Sequence, residues 1–350
     1  MKHRSFRDRD FLSTKEGFIF CVVGPYHPID RIVSYLKYLP NPKGKWRKGQ
    51  EKFKRVMLTY TIPSLTTTFD LLKNAYPQYL FFSKAYNITM TAVPQGYLVK
   101  HFRPEDKMVE LIEKSRLDPL QKKVVHLVSI LFELSNVPAE NFGVTGSILL
   151  DMHNPTFSDI DITIYGVESS YAVKNALTIA YSTKESPITR FEGEKLKKWY
   201  MNRTQNRPIS LADAKRIYER KWNIGLLDKT PFSVHPVKLE EELTERYGDK
   251  TFHPCETVTL QAVVADSIDT IFLPAVYRVR DVKIENDIDA NIKEVVSYEG
   301  LFDSLAGKGE IIKAKGKLEH VVDNQEGTEY DRVLIGSIRG KGTEYIKPIV

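Results

Sequence analysis

The sequence predicts an α+β protein of three modules, on three observations. Residues 1–105 mix strand-like runs with a helical stretch, and residues 106–250 alternate amphipathic helices with half-buried strands; residues 251–350 turn almost wholly to β patterning. In the first module, an N-terminal α/β unit, Phe18 to Val23 and Arg55 to Ile62 are rich in β-branched and aromatic residues, and Leu65 to Ala75 reads as a short helix. Pro40, Pro42, Pro63, Pro77 and Pro94 cut the rest into short pieces. Its many tyrosines suit core and rim packing, and the module carries no recognisable chemistry. Lys43 to Arg55 sets seven basic residues around Trp46 and Phe53 against Glu51 alone, with Gly44 and Gly49 suited to a charged hairpin loop.

In the middle module Asp118-Pro119 is a strong helix start, an N-cap acceptor followed by proline at the first helical position. Val124, Leu127, Val128, Leu131 and Leu134 form one apolar face, and the helix ends near Ser135-Asn136. His126 on it suits packing or the surface. Further helices are expected from Ser147, near Tyr171 to Tyr181, over Glu192 to Arg203 and over Ser210 to Trp222, where Ser210 and Asp213 form a capping box. The last two hold the basic region from Arg190 to Lys221, either solvated helix faces or a phosphate-binding surface. In the last module Val258, Leu260, Ala262 and Val264 alternate; Ile311 to Val322 and Arg332 to Ile338 read as a hairpin, with Gly300, Gly307, Gly309 and Gly316 at turns. Short strands at this spacing predict a small β barrel or sandwich, with an oligonucleotide-binding-type barrel as one form and a structural or dimerising domain as another.

Composition narrows the class. A 42% apolar and 27% charged chain of 350 residues is an ordinary globular protein with room for two or three cores. Apolar runs are too short to cross a bilayer, no charged-then-apolar leader opens the chain, and Cys21 and Cys255 are too few for a disulfide framework. A cytoplasmic protein without a membrane partner is expected. The net charge of +6 weakly favours polyanionic partners.

The chemistry is concentrated in Val144-Thr145-Gly146-Ser147 and, after an eleven-residue gap, Asp159-Ile160-Asp161. Alternation along a strand puts Asp159 and Asp161 on one face, roughly 7 Å apart. Hard carboxylates so placed can hold Mg²⁺ or Mn²⁺ and leave positions for phosphate oxygens. Gly146 allows close backbone approach to a phosphate, Ser147 adds a hydroxyl, and the N–H groups opening the next helix attract anions.

At these residues the chain resembles the DNA polymerase β-like nucleotidyltransferase superfamily, whose motif is a hydrophobic residue, Gly-Ser or Gly-Gly, a short gap, then Asp-hydrophobic-Asp. That resemblance covers about residues 120–240. More narrowly the chain resembles an uncharacterised archaeal group of predicted nucleotidyltransferases, through Arg9-Asp10-Phe11, Glu16 to Phe20, His27 to Arg31 and Phe272 to Tyr277. The resemblance implies transfer of a nucleoside monophosphate from a nucleoside triphosphate to a hydroxyl on RNA or DNA, with Mg²⁺ at Asp159 and Asp161. It also implies a third carboxylate on a later strand, here Pro231 to Val237. The inward positions there are Ser233 and His235 in one register, Phe232 and Val234 in the other, and none is acidic. Asp228 just upstream, or Glu240 to Glu242 downstream, could reach in, and His235 could serve as base. The alternative is a catalytically impaired scaffold or sensor that binds nucleotide or nucleic acid.

Overall fold

A computed structural model describes residues 4–57, 62–205, 207–285 and 288–349. Among them are seven α-helices and three sheets, an α+β architecture. The N-terminal part is mainly β. Strands β1 (Phe11–Thr14), β2 (Ile19–Val22), β3 (Arg31–Pro40), β4 (Trp46–Lys48) and β5 (Glu51–Arg55) precede helix α1 (Ile62–Ala75), then come β6 (Leu80–Ser83), β7 (Ile88–Pro94) and β8 (Leu98–Phe102). The sheet order is β4-β5-β3-β2-β1-β8, with β7 also on β3 and β6 on β7. The charged hairpin forms as β4–β5, but the strand expected over Arg55 to Ile62 does not. Strand β5 stops at Arg55, residues 58–61 lie outside the described residues, and Ile62 already opens α1. Propensity alone cannot extend a strand past its last partner, and the pairing of β5 with β3 ends at Arg55, opposite Tyr38.

The central part holds α2 (Pro104–Glu113), α3 (Pro119–Ser135), β9 (Phe142–Val144), α4 (Gly146–Leu149), β10 (Ile160–Tyr165) and α5 (Val167–Ser182). It continues through β11 (Ile188–Thr189), α6 (Gly193–Thr204), α7 (Leu211–Arg220), β12 (Ile224–Leu227) and β13 (Thr230–Val237). Asp118 caps α3 by accepting from the N–H groups of Leu120 and Gln121, and Asn136 ends it in the left-handed conformation. Val124, Leu127, Val128 and Leu131 are buried, whereas Leu134, in the last turn, stands 45% exposed. The sheet order is β11-β12-β13-β10-β9, with β10 and β13 parallel. Ile160, Ile162, Ile164, Phe232 and Val234 pack under α3 and α5, so Asp161, Ser233 and His235 must face the other way. This fixes the first of the two registers.

The last part, β14 (Lys250–Asp266), β15 (Ala275–Ile284), β16 (Ile292–Ser297), β17 (Ile311–Asp323), β18 (Thr328–Ile335) and β19 (Tyr345–Ile349), forms a barrel. Pairing runs β14-β15-β16-β18-β17 and returns from β17 to β14, with β16 and β18 parallel. Gly316 is no turn. It lies inside β17, where a Cβ would stand 2.6 Å from the Leu334 carbonyl oxygen, so glycine there permits close strand approach. Helices α6 and α7 follow the central module in sequence but pack on the barrel: Trp199, Ala214, Ile217 and Tyr218 share its core with Val258, Leu260 and Ile346.

Candidate active site

The sheet face opposite α3 and α5 is met at its β9 end by Pro104 and Glu105 of α2. The N-terminal sheet lies over one side and the barrel over the other, leaving a cleft of about 680 Å³. Asp159, Asp161, Gly146, Ser147, Ser233 and His235 all line it. The N-terminal sheet docks through Phe11, Ile19, Tyr38 and Phe53 onto Leu149, Leu150 and Met152, the residues just after the Gly-Ser turn. Arg7 pairs with Glu240, and Arg4 bridges Asp10 and Glu105, so the chain's first residues fasten this module to the sheet ends.

The Gly-Ser turn is shaped around Asp161. Gly146 has φ of +68°, and a Cβ there would lie 2.4 Å from Asp161 Oδ2. The Thr145 N–H donates to the Asp161 carbonyl at 2.9 Å, and the Thr145 hydroxyl donates to the Arg9 carbonyl at 2.8 Å. The helix that follows is only four residues long, shorter than the sequence suggests. Gly146 therefore serves contact with the carboxylate, and a phosphate would have little helix dipole to meet.

The electrostatics separate the two aspartates. Asp161, 24% exposed in its side chain, is held well below the usual carboxylate range. Burial opposes this, but contacts from His235 and Ser233 and the charge of Lys37 prevail. Asp159, more exposed at the cleft opening, is pushed up to about 6, first by the negative charge of Asp161 and then by burial. One carboxylate holds the charge; the other titrates near neutrality.

Ser233 and His235 stand where the third carboxylate was expected. The Ser233 hydroxyl donates to Asp161 Oδ1 and lies 2.9 Å from His235 Nε2. Its single hydrogen is thereby used, so the imidazole must donate from Nε2, leaving Nδ1 as the basic nitrogen. Burial, then the nearby Arg9 charge, push the His235 pKa down against the opposing pull of Asp161. Asp228 does not enter the cleft. With Lys229 it forms the two-residue turn between β12 and β13, at φ 44° and 67°, where two left-handed residues are required and aspartate is favoured. Glu240 to Glu242 lie beyond the far end of β13, where Glu240 pairs with Arg7 and Glu242 accepts from the N–H of Val167. Among the described residues no cluster of three His, Cys, Asp or Glu side chains is placed to hold a metal.

The walls draw on both basic regions of the sequence, through Arg55 and through Arg203, Arg207 and Lys221, and on residues that sequence patterning left without a role. Lys37 and Tyr35 from β3, Arg55 from β5 and Asp8 and Arg9 enter from the N-terminal side; Arg203, Arg207, Lys221, Glu299 and Asp303 enter from the barrel side. Lys37 left one readable signal, a lone cation inside the apolar run from Ile32 to Leu39. The others lie on separate strands, loops and a helix, with partners such as Glu299 for Arg207 and Asp303 for Lys221 that are 92 and 82 residues away.

The chain is 30% identical over 343 residues, 97% of its length, to the uncharacterized protein MJ1086 of Methanocaldococcus jannaschii, of which the match covers 98%. It belongs to the same family as that archaeal protein. No protein-family model and no solved structure matches the chain. Among the described residues no helix is long and apolar enough to cross a membrane.

Proposed function

We propose that the chain is a metal-dependent nucleotidyltransferase with a polymerase β-like core, taking a nucleoside triphosphate as donor and a hydroxyl on nucleic acid as acceptor. The observation that carries this reading is the fit of Gly146 against Asp161, with Asp159 beside it, on the floor of a cleft walled by cations. Two carboxylates close enough to push one of them up to about 6, despite the nearby charges of Lys37 and Arg55, suit a divalent cation. Two carboxylates without a third fit Mg²⁺ that enters with phosphate ligands, since that ion is commonly held by one or two side chains plus substrate oxygens. Asp159 and Asp161 would hold it, and it would supply charge neutralisation at the transferring phosphate.

The chain's own groups do the rest. Lys37 and Arg55 on one wall and Arg203 and Arg207 on the other neutralise phosphate charge and orient the donor. The acceptor oxygen bonds to the α-phosphorus while the bond from that phosphorus to the oxygen bridging to the β-phosphorus breaks, and pyrophosphate leaves. The acceptor's proton passes to His235, whose Nδ1 is the basic nitrogen in the resting arrangement. The barrel, a five-stranded ring of the oligonucleotide-binding type, supports a nucleic-acid acceptor because its 298–303 loop and its 271–273 segment line the same cleft.

One observation favours a second reading, a binding scaffold or sensor: the third position offers a serine and a histidine, neither acidic nor apolar. Incubation with each α-labelled nucleoside triphosphate, Mg²⁺ or Mn²⁺ and mixed RNA and DNA acceptors decides between them. Label transfer that is lost on Asp159→Ala or Asp161→Ala is the expected result. Binding of nucleotide without transfer would establish the scaffold.

A further inference from the structure

We propose that the face of the N-terminal sheet roofing the cleft is a binding platform for single-stranded nucleic acid, and that it delivers a strand end to the two aspartates. What happens at that end rests on the transferase reading; the binding does not.

The platform is shaped by a bulge. Against β2 the pairing steps from Cys21 with Tyr35 and Phe20 with Leu36 to Ile19 with Tyr38, so the extra residue Lys37 lets Tyr35 and Tyr38 share the face of Ile19 and Cys21, and β5 sets Arg55 opposite Tyr38. Trp46, on β4, packs against Tyr38 with ring centroids 5.6 Å apart, and with Tyr35, Lys37, Tyr38 and Arg55 it lines the cleft that holds Asp159 and Asp161. Lys37 is only 7% exposed, its ammonium 4.8 Å above the Phe11 ring. A cation held this far from bulk water, on a wall facing two carboxylates, is a built feature of the site.

At the cleft opening Phe157 is 45% exposed beneath the Lys45 ammonium, 4.2 Å from its ring centroid. Beyond it the β4–β5 hairpin carries Lys43 and Arg47 on its exposed surface. Rings and cations are therefore interleaved along this wall: Lys45 over Phe157, Trp46 against Tyr38 with Arg55 opposite Tyr38, and Tyr35 and Lys37 further along β3. Rings that accept any base by stacking, among cations that track phosphates, are how proteins hold single strands without reading sequence. Walls on both sides and a volume in the range of about 300–1,000 Å³ typical of small-molecule pockets exclude a duplex from the floor but admit one strand end. A small acceptor would engage the floor and leave the hairpin cations without a role.

The probes are fluorescein-labelled eight-nucleotide oligouridylate and oligothymidylate, each single-stranded and annealed to its complement, with anisotropy read at two salt concentrations. Trp199, which also lines the cleft, and Trp222 are 8% and 3% exposed, and comparison with Trp46→Phe assigns tryptophan quenching by unlabelled oligonucleotide to Trp46. Expected are single-strand binding at least tenfold tighter than duplex binding, and quenching that disappears in Trp46→Phe. Trp46→Ala should weaken binding about tenfold, as the loss of one stacked base does. Lys45→Ala with Arg47→Ala, both on the exposed hairpin and safe for folding, should weaken it and flatten its salt dependence. Asp161→Asn should still bind. Single-strand binding untouched by the Trp46 and hairpin variants, equal duplex binding, or no oligonucleotide binding overturns the platform. Strand binding without label transfer by any nucleotide leaves the platform standing and removes the transferase.

Discussion

The buried ion pairs at the barrel's junctions and the aspartate pair on the cleft floor both take charge out of bulk water, and they are built in opposite ways. In the barrel Glu319, 2% exposed, accepts from Lys317 at 2.6 Å and from Arg332 at 2.8 Å, and the Arg332 guanidinium covers the Phe252 ring at 3.5 Å. Where α7 meets the barrel, Lys221 is buried against Asp303 at 2.7 Å and also donates to the Gly300 carbonyl. Each of these charges has an opposite partner and its hydrogen bonds. In the cleft, two carboxylates of the same sign face each other, and one is driven up to about 6. Compensated charge fastens modules together; like charge left side by side marks where a ligand must supply the compensation.

That contrast can be broken most directly at Asp303. Asp303→Ala leaves the Lys221 ammonium buried with carbonyl partners only, and should cost about 3 kcal/mol or more in urea unfolding. Pairing it with Lys221→Met should recover most of the loss, because the double variant buries no charge. Asp161→Asn should behave in the reverse sense. Label transfer falls about 10²–10³-fold, as when a preorganised electrostatic group is lost, while stability changes little. An Asp161→Asn protein that unfolds as readily as Asp303→Ala would erase the distinction between the two regions.

Gly146→Ala probes how the cleft is held in shape. The left-handed φ of +68° costs an alanine about 1 kcal/mol or more, and its Cβ would displace the Asp161 carboxylate. Gly24, at φ +65° with nothing within 4 Å of a Cβ, is the matched control for backbone strain alone. Gly146→Ala should lose transfer at least tenfold beyond Gly24→Ala at similar stability. Equal activities would show that Gly146 answers only to the turn.

Much of this was legible in the chain because it is local. The capped helix α3, the alternation of Ile160, Ile162 and Ile164, the aspartate pair and the β character of the last hundred residues follow from spacing and propensity. Asp228 misled because acidity near a strand looks like chemistry, whereas the two-residue turn it occupies asks for the same residue on conformational grounds. The walls of the cleft were legible only in part. The basic region that holds Arg203 and Arg207 reads as a solvated helix face or as a phosphate-binding surface until it is seen lining the cleft, and Lys37 reaches the aspartates across more than 120 residues of chain. Contacts that join modules leave no period in the sequence.

The smallest effect tests the contrast at its centre. Asp159 has a folded pKa of about 6, above its ordinary 3.8, because Asp161 repels its charged form. The stability lost to that repulsion is therefore absent below pH 4, grows as pH rises through 6, and is complete above it. Asp159→Asn removes the repulsion. Since Asp159 is exposed to water, the gain at pH 7.5 without divalent cations should be only about 1 kcal/mol, and it should vanish at pH 4. Millimolar Mg²⁺ should raise the melting temperature of the wild type and leave Asp159→Asn nearly unmoved, because the ion compensates a charge the variant lacks. A variant less stable than wild type at pH 7.5, in the absence of metal, would show that Asp159 is already compensated. The cleft would then be one more fastened junction, built like the barrel.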